Sequence, residues 1–275
     1  LWHYNVTGNA LADVFEAVKR PGDRFAGACF TSGSAGTLST GDRLKELYPH
    51  LKLAVGEALQ CPTILENGFG GHRIEGIGDK HIPWIHNVKN TDMVIDIDDE
   101  DSQRLLRLFN TPEGRTYLKE ELRLAPELVE QLTWLGISGI ANVLCCIKMA
   151  KYYEFTSRDV VGTVLTDSAA MYQSRIGELN GEYGAYTVHE AALDHGVHML
   201  AVKTDSMQEL TYADRKRVHN LKYYTWVEQQ GKTVEELNAL WYDTEGTWDT
   251  VHAQAKDLDE LINAFNEATG LLKDL

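Results

Sequence analysis

Short apolar runs alternate with amphipathic stretches along the first 175 residues of the chain. Phe25 to Phe30 is an apolar run typical of a buried strand, and Leu38 to Tyr48 has the apolar spacing of a helix. Apolar runs also occupy residues 51–55, 93–97 and 160–165, and helical patterns occupy 9–19 and 140–152. Strands that alternate with helices predict an α/β fold, in which a mostly parallel sheet is covered by helices on both faces.

The composition changes beyond residue 200. Residues 212–224 are rich in Arg, Lys and Tyr, and residues 233–242 and 256–268 have helical patterns. In the last segment four apolar side chains share one helical face, namely Leu258, Leu261, Ile262 and Phe265. We therefore predict two parts. Residues 1–200 form the α/β fold, and residues 201–275 form a helical C-terminal extension that packs on this fold or on a neighbouring subunit.

A glycine-bracketed loop, Gly33-Ser34-Ala35-Gly36-Thr37, connects the first predicted strand to the helix that begins near Leu38. This order directs several free backbone N–H groups and the positive end of the helix dipole at one point. Such a point suits a phosphate group. The loop has neither the lysine of a P-loop nor the G-x-G-x-x-G spacing of dinucleotide-binding folds. Considered alone, a tight structural turn explains it equally well.

The net charge of −15, from 41 acidic and 26 basic residues, argues against binding to nucleic acid or to anionic membranes. It does not exclude an anionic ligand held by local N–H groups. The four cysteines have no metal-ligand spacing, and His189, His195 and His198 are interpreted as helix-surface residues, so we expect no metal site. No secretory signal and no apolar run of membrane-spanning length is present, so we expect a cytoplasmic protein.

Three further segments follow the loop in order. They are His72-Arg73-Ile74-Glu75-Gly76-Ile77-Gly78 with Ile82-Pro83, Gly136-Ile137-Ser138-Gly139, and Leu165-Thr166-Asp167-Ser168 with Tyr172. Together the four segments resemble the second half of the fold-type-II pyridoxal-phosphate enzymes, the family of cysteine synthase and the tryptophan synthase β chain. There the first three usually read Gly-Thr-Gly-Gly-Thr, Gly-Ile-Gly followed by Ile-Pro, and Gly-Ile-Ser-Ser-Gly. The resemblance covers residues 5–175 and implies a tryptophan synthase β-like parallel sheet layered with helices.

The resemblance also implies a role for each segment. Gly33, Ser34, Ala35, Gly36 and Thr37 would bind the phosphate of pyridoxal 5'-phosphate through backbone N–H groups and the Thr37 hydroxyl. Gly76, Ile77 and Gly78 would pass close to the cofactor ring, Ser138 would place its hydroxyl at the pyridine nitrogen, and Asp167 and Ser168 would close the site behind that nitrogen. A neutral hydroxyl leaves this nitrogen largely unprotonated, which favours β-elimination over racemisation or transamination. Considered alone, Ser138 is expected to be a helix N-cap.

The chain departs from the family pattern at two positions. Ala35 stands where glycine is usual, so a β-carbon must be accommodated near the phosphate, and Ala58 follows Glu57 where proline is frequent. The family's Schiff-base lysine, and the asparagine loop that holds the substrate carboxylate, belong to the first half of the fold. No lysine in this chain matches that lysine. Because the sequence opens at Leu1 in what resembles the middle of a fold, we expect a fragment without the lysine-bearing half that is inactive by itself.

The activity implied by the resemblance is β-elimination or β-replacement on a small amino acid, in the manner of cysteine synthase, by an enzyme that forms a homodimer. Within the family, a dehydratase of hydroxy amino acids and an ammonia lyase remain open. Outside this reading, two alternatives remain: a non-catalytic subunit that keeps the fold without the lysine, and a nucleotide-binding α/β domain.

Overall fold

A computed structural model describes residues 1–270. The strands are β1 Arg24–Thr31, β2 Lys52–Ala58, β3 Met93–Ile97, β4 Asp159–Thr163 and β5 Met207–Glu209. The helices are α1 Gly8–Val18, α2 Leu38–Leu47, α3 Thr63–Glu66, α4 Asp99–Asn110, α5 Pro112–Thr116, α6 Pro126–Gln131, α7 Ile137–Tyr152, α8 Gln173–Tyr183, α9 Val188–His195, α10 Tyr212–Lys222, α11 Val234–Tyr242 and α12 Thr250–Thr269. One π-helical turn, His3–Thr7, precedes α1.

The strands of residues 1–270 form one sheet with the order β4-β1-β2-β3-β5. The pairs β4–β1, β1–β2 and β2–β3 are parallel, and β5 pairs antiparallel with β3. The predicted α/β fold class is confirmed. The short strand β5 lies in the C-terminal extension and was missed, because three residues are too few for strand periodicity to be recognised.

The three central strands, β1 to β3, are buried on both faces, and their alternate side chains point to opposite sides of the sheet. In β1, Cys29 packs into the core formed with α4 and α7, whereas Ala28 and Phe30 pack into the core formed with α1 and α2. Burial on both faces explains why β1 has a continuous apolar run instead of an alternating pattern.

The chain order places a topological switch point between β1 and β4. From β1 the chain proceeds to β2 and then β3 on one side, and it returns to the other side of β1 as β4. Ligands of open α/β sheets bind at the carboxyl ends of the strands at such a point. The glycine loop follows β1 and Thr166-Asp167-Ser168 follows β4, so both segments lie at this end.

The C-terminal extension contributes to the main core. Leu210 and Val218 are buried in the cluster that contains Phe30, while α12 has no buried residue over its 20 positions. The predicted boundary at residues 200/201 stays a prediction. Within residues 1–270, no single helix has the length and apolar composition of a membrane span, although the bent pair Pro126–Trp134 and Ile137–Tyr152 passes this test together.

Candidate functional site

A cavity of about 130 Å³ lies at the switch point, where β1 and β4 end and α2 and α7 begin. Its lining combines residues of all four sequence segments with residues from the chain start, from β1 and α7, and from just after β4. The lining residues are His3, Phe30, Thr31, Gly33, Ser34, Ala35, Gly36, Thr37, Gly76, Ile77, Ser138, Asn142, Val164 and Thr166. Segments more than 100 residues apart in sequence therefore meet at one site.

The glycine loop has free donors. Among the described residues, none accepts a hydrogen bond from the backbone N–H groups of residues 33–37. The next N–H groups, those of Leu38, Ser39 and Thr40, bond to carbonyls three residues earlier and so close the first turn of α2. The loop thus presents unpaired N–H groups and a helix N-terminus to the cavity, which is the arrangement that binds phosphate. The Thr37 hydroxyl lies 3.5 Å from the Thr31 carbonyl and also lines the cavity.

Ala35 accommodates its β-carbon through a left-handed backbone. Its φ is +63° and its side chain is 2% exposed, packed in the core with Leu38. This conformation costs an alanine about 1–2 kcal/mol relative to the right-handed region. The methyl group is buried in the core, which explains how this loop tolerates alanine where the family usually has glycine.

The Gly76-Ile77-Gly78 segment lies against the start of the loop. The Gly78 N–H donates to the Ser32 carbonyl at 2.9 Å, and a β-carbon at Gly33 would lie 3.1 Å from the Gly76 carbonyl oxygen. Gly76 and Gly78 both have φ of +84°. Gly76 and Ile77 line the cavity, while Gly78 packs against the ring of His72, so the structure brings two of these three predicted residues to the site.

Ser138 is the second residue of α7 and is buried. The N-cap position belongs to Gly136, and Ser138 makes no capping hydrogen bond, so the N-cap expectation is wrong. Its Oγ lies 3.4 Å from the Thr166 Oγ1, and both residues line the cavity. Because α7 begins beside β4, the hydroxyl of Ser138 faces the segment that follows this strand.

Asp167 and Ser168 directly follow Thr166 in the chain, but they do not line the cavity. The Asp167 carboxylate accepts a 2.5 Å hydrogen bond from the Tyr172 hydroxyl, and the Asp167 carbonyl accepts one from the Gly136 N–H at 3.1 Å. Burial and this carboxylate both raise the pKa of Tyr172. A β-carbon at Gly136 would collide with Asp167 at 1.8 Å, so glycine is required where α7 begins.

Sequence reasoning missed three lining side chains. Asn142 Oδ1 accepts from the Thr31 N–H and its Nδ2 donates to the Val164 carbonyl, both at 2.9 Å, so it joins the ends of β1 and β4. Thr166 faces Ser138, and His3 lies over Gly36. Thr166 was quoted within its segment without a role. Each of these contacts spans 22 residues or more, so local patterns could not reveal it.

No lysine or arginine lines the cavity within residues 1–270. Two buried lysines lie elsewhere. Lys148 donates to the Asp96 carbonyl at 3.0 Å, and Lys222 donates to the carbonyls of Trp84 and His86. Burial lowers the pKa of Lys222 to about 7. Because both amines bond to backbone carbonyls outside the cavity, neither qualifies as a cofactor-binding lysine.

Glu57, at the end of β2, is opposite Asp96 on β3 and also lies outside the cavity. Its carboxylate accepts from the N–H groups of Ile64 and Leu65 at 2.9 and 2.8 Å. Burial raises the pKa of Glu57 to about 7, and burial together with the neighbouring Glu57 raises that of Asp96 to about 9. This pair is a structural feature of the sheet.

The chain is similar in sequence to cysteine synthases. Cysteine synthase B of Campylobacter jejuni is 32% identical over 143 residues, which are 52% of this chain and 40% of that protein. A probable cysteine synthase of Bacillus subtilis is 32% identical over 113 residues, 41% of this chain and 35% of that protein. The chain is a homologue of the cysteine synthases. No protein-family model matches the chain, and it spans less than half the length of these two cysteine synthases.

Solved structures agree with the cysteine synthase fold. O-acetylserine sulfhydrylase isoform 3 from Entamoeba histolytica superposes with a TM-score of 0.52 at 18% identity, covering 71% of this chain and 51% of that one. A hydrogen sulfide-producing enzyme from Fusobacterium nucleatum superposes with a TM-score of 0.50 at 21% identity, covering 70% and 50%. At these identities the likeness establishes the fold. The predicted resemblance to fold-type-II pyridoxal-phosphate enzymes is therefore confirmed.

Proposed function

We propose that the cavity at the switch point is the phosphate- and ring-binding part of a pyridoxal-phosphate site, and that the protein acts in β-elimination or β-replacement on a small amino acid. The observation that carries the proposal is the meeting of the free N–H groups of residues 33–37 with the buried Ser138 hydroxyl in one cavity. Homology to cysteine synthases supports the same reaction class.

The residues present fit this cofactor. A β-carbon at Gly33 or Gly36 would reach within 3.1 Å of the Gly76 carbonyl or 3.2 Å of the His3 ring, so glycines keep the cradle open. Backbone N–H groups would bind the phosphate, with the α2 dipole supporting them. Ser138 would meet the pyridine nitrogen with a neutral hydroxyl. When bound, pyridoxal phosphate supplies an electron sink for the carbanion at the substrate α-carbon.

We further propose that the Schiff-base lysine lies outside this chain. The support is that no lysine lines the cavity within residues 1–270. Without that amine, the chain lacks the group that moves the α-proton, so we expect no turnover from the chain alone. The test is incubation with pyridoxal phosphate, reduction with borohydride and mapping of modified lysines. One stoichiometric, site-specific adduct together with turnover of an amino acid would contradict this proposal.

Phosphate binding at the loop is tested directly with a pair of variants that each add one negative charge. Ser34→Asp places a carboxylate at the cradle, whereas Ser174→Asp adds the same charge at an exposed position of α8. We expect Ser34→Asp to weaken binding of inorganic phosphate and of pyridoxal phosphate at least about tenfold, because like charges repel at short range. Ser174→Asp should bind as the unmodified protein does. Equal binding in both variants, or no binding by the unmodified protein, would refute the proposed site.

A non-catalytic subunit that keeps the fold without the lysine remains the second candidate, favoured by the same absence of a lysine among the described lining residues. The test mixes this chain with a chain that carries the lysine and measures turnover of an amino acid. Recovery of turnover would exclude the non-catalytic subunit. β-Elimination, β-replacement and deamination are distinguished by supplying amino acids with different leaving groups and identifying the products.

We propose a cytoplasmic homodimer as the cellular form. Four free cysteines, of which Cys29, Cys61 and Cys145 are buried, fit a reducing compartment. The exposed apolar face of α12, with Leu261 65% and Phe265 60% exposed, supports contact with another subunit. Light scattering after size-exclusion chromatography measures this state, and a monomer at micromolar concentration would contradict it.

A further inference from the structure

His3 is the single ionisable side chain among the described residues that line the cavity. It lies in the π-helical turn His3–Thr7, in front of Gly36. A β-carbon at Gly36 would lie 3.2 Å from the His3 Cδ2 and 3.5 Å from its Nε2. The Nε2 edge of the ring is therefore directed toward the loop whose N–H groups are free.

Two threonines hold His3 in this position. The Thr7 Oγ1 lies 2.9 Å from the His3 Nδ1, and the Thr40 hydroxyl on α2 donates to the His3 carbonyl at 3.1 Å. The Nε2 has no hydrogen-bond partner among the described residues. A hydroxyl can donate to an unprotonated Nδ1, which leaves the ring proton on Nε2. The ring is thus anchored on one side and has a donor available on the other.

We propose that His3 Nε2 donates a hydrogen bond to a phosphate-monoester oxygen bound by residues 33–37, so that His3 selects the phosphorylated form of the ligand. This inference rests on the proposed function. No lysine or arginine side chain lines this cavity within residues 1–270, and the chain as a whole is strongly acidic, with a net charge of −15. His3 is therefore the one ionisable side chain among the described lining residues that can add a hydrogen bond to those of the backbone N–H groups and the Thr37 hydroxyl at the anion.

The experiment compares binding of inorganic phosphate, pyridoxal phosphate and unphosphorylated pyridoxal by calorimetry. The variants are His3→Ala, which removes the ring, and His3→Gln, whose amide retains a donor. His50→Gln is the matched control, since His50 is exposed near the opposite end of the sheet, just before β2. Nitrogen-15 NMR of the unmodified protein reports which ring nitrogen of His3 carries the proton, with and without phosphate.

We expect His3→Ala to weaken binding of inorganic phosphate and pyridoxal phosphate about tenfold, while pyridoxal binding is unchanged. His3→Gln should recover part of the loss, and His50→Gln should bind normally. Phosphate should shift the His3 Nε2 resonance of the unmodified protein. If the unmodified protein binds neither phosphate nor pyridoxal phosphate, the proposed function fails together with this inference. If it binds both while His3→Ala binds equally well, or the His3 resonance does not move, only the role of His3 is refuted.

Discussion

The Ser138 hydroxyl lies 3.4 Å from the Thr166 hydroxyl, which joins the first turn of α7 to the segment after β4. Both side chains face the cavity of the glycine loop. Ser138 is buried whereas Thr166 is exposed, and either hydroxyl can be the donor of this contact. When Thr166 donates, the Ser138 O–H is free to donate toward a ligand. The contact thus sets the polarity of the cavity wall opposite the phosphate cradle.

Removing the Ser138 hydroxyl should weaken cofactor binding by about one hydrogen bond. We expect Ser138→Ala to reduce the binding free energy of pyridoxal phosphate by about 0.5–1.5 kcal/mol. Ser138→Asp should instead change the absorption spectrum of the bound cofactor, because an aspartate favours a protonated pyridine nitrogen. Titration followed by absorbance measures both. Ser174→Ala is the control, and unchanged affinity and spectrum in both Ser138 variants would leave this serine without a role at the ring.

Gly76 and Gly71 form a matched pair for backbone strain. A β-carbon at either position meets no atom within 4 Å, but only Gly76 has a left-handed backbone, with φ of +84°. Gly76→Ala should therefore lower the free energy of unfolding by about 1–2 kcal/mol. Gly71→Ala should be neutral or stabilise by up to about 1 kcal/mol, because alanine restricts the unfolded chain. Chemical denaturation measures the difference, and equal stabilities would contradict the assigned strain.

Asn142 should be among the most costly polar residues to remove. It is 4% exposed and satisfies both the Thr31 N–H and the Val164 carbonyl. Asn142→Leu leaves two partly buried backbone groups without partners, which costs about 1–3 kcal/mol each. We expect a loss of about 2–5 kcal/mol in unfolding free energy. The same substitution at the exposed Asn263 on α12 should change stability little, and a mild effect at Asn142 would mean that water replaces its bonds.

Asp96 should make stability fall as the pH rises. Its pKa is raised from 3.8 to about 9, mainly by burial, so between these values the folded state holds a proton that the unfolded state has lost. Stability from this group is present below pH 4 and is lost progressively up to pH 9. Neither carboxylate oxygen has a partner among the described residues, so Asp96→Asn removes no known acceptor.

The stability difference between Asp96→Asn and the unmodified protein reports the titration of the coupled Glu57–Asp96 pair. We expect it to favour the variant increasingly from pH 5 to pH 9. The difference is needed because His86 and His219, whose pKa values burial lowers to about 3, make stability rise with pH up to about 6.5. A difference that does not depend on pH would contradict the raised pKa of Asp96.

The sequence by itself determined the features that depend on local backbone chemistry. The apolar runs identified β1 and β3, the glycine loop marked a strand-loop-helix junction, and the order of four segments indicated the family. These signals are local. An apolar run, a glycine that allows a left-handed backbone and the start of a helix can each be recognised from a few consecutive residues. The loop at residues 33–37 was therefore placed correctly between β1 and α2, whereas its role as a phosphate site stays a prediction.

Tertiary structure alone decided which side chains share the cavity. His3, Asn142 and Thr166 come from three distant segments, and they meet because β1 lies between β2 and β4 at the switch point. The direction of the Ser138 hydroxyl, away from a capping position and toward Thr166, depends on how α7 begins beside β4. Side-chain convergence depends on the packing of elements far apart in the chain, and no periodicity within a single element encodes that packing.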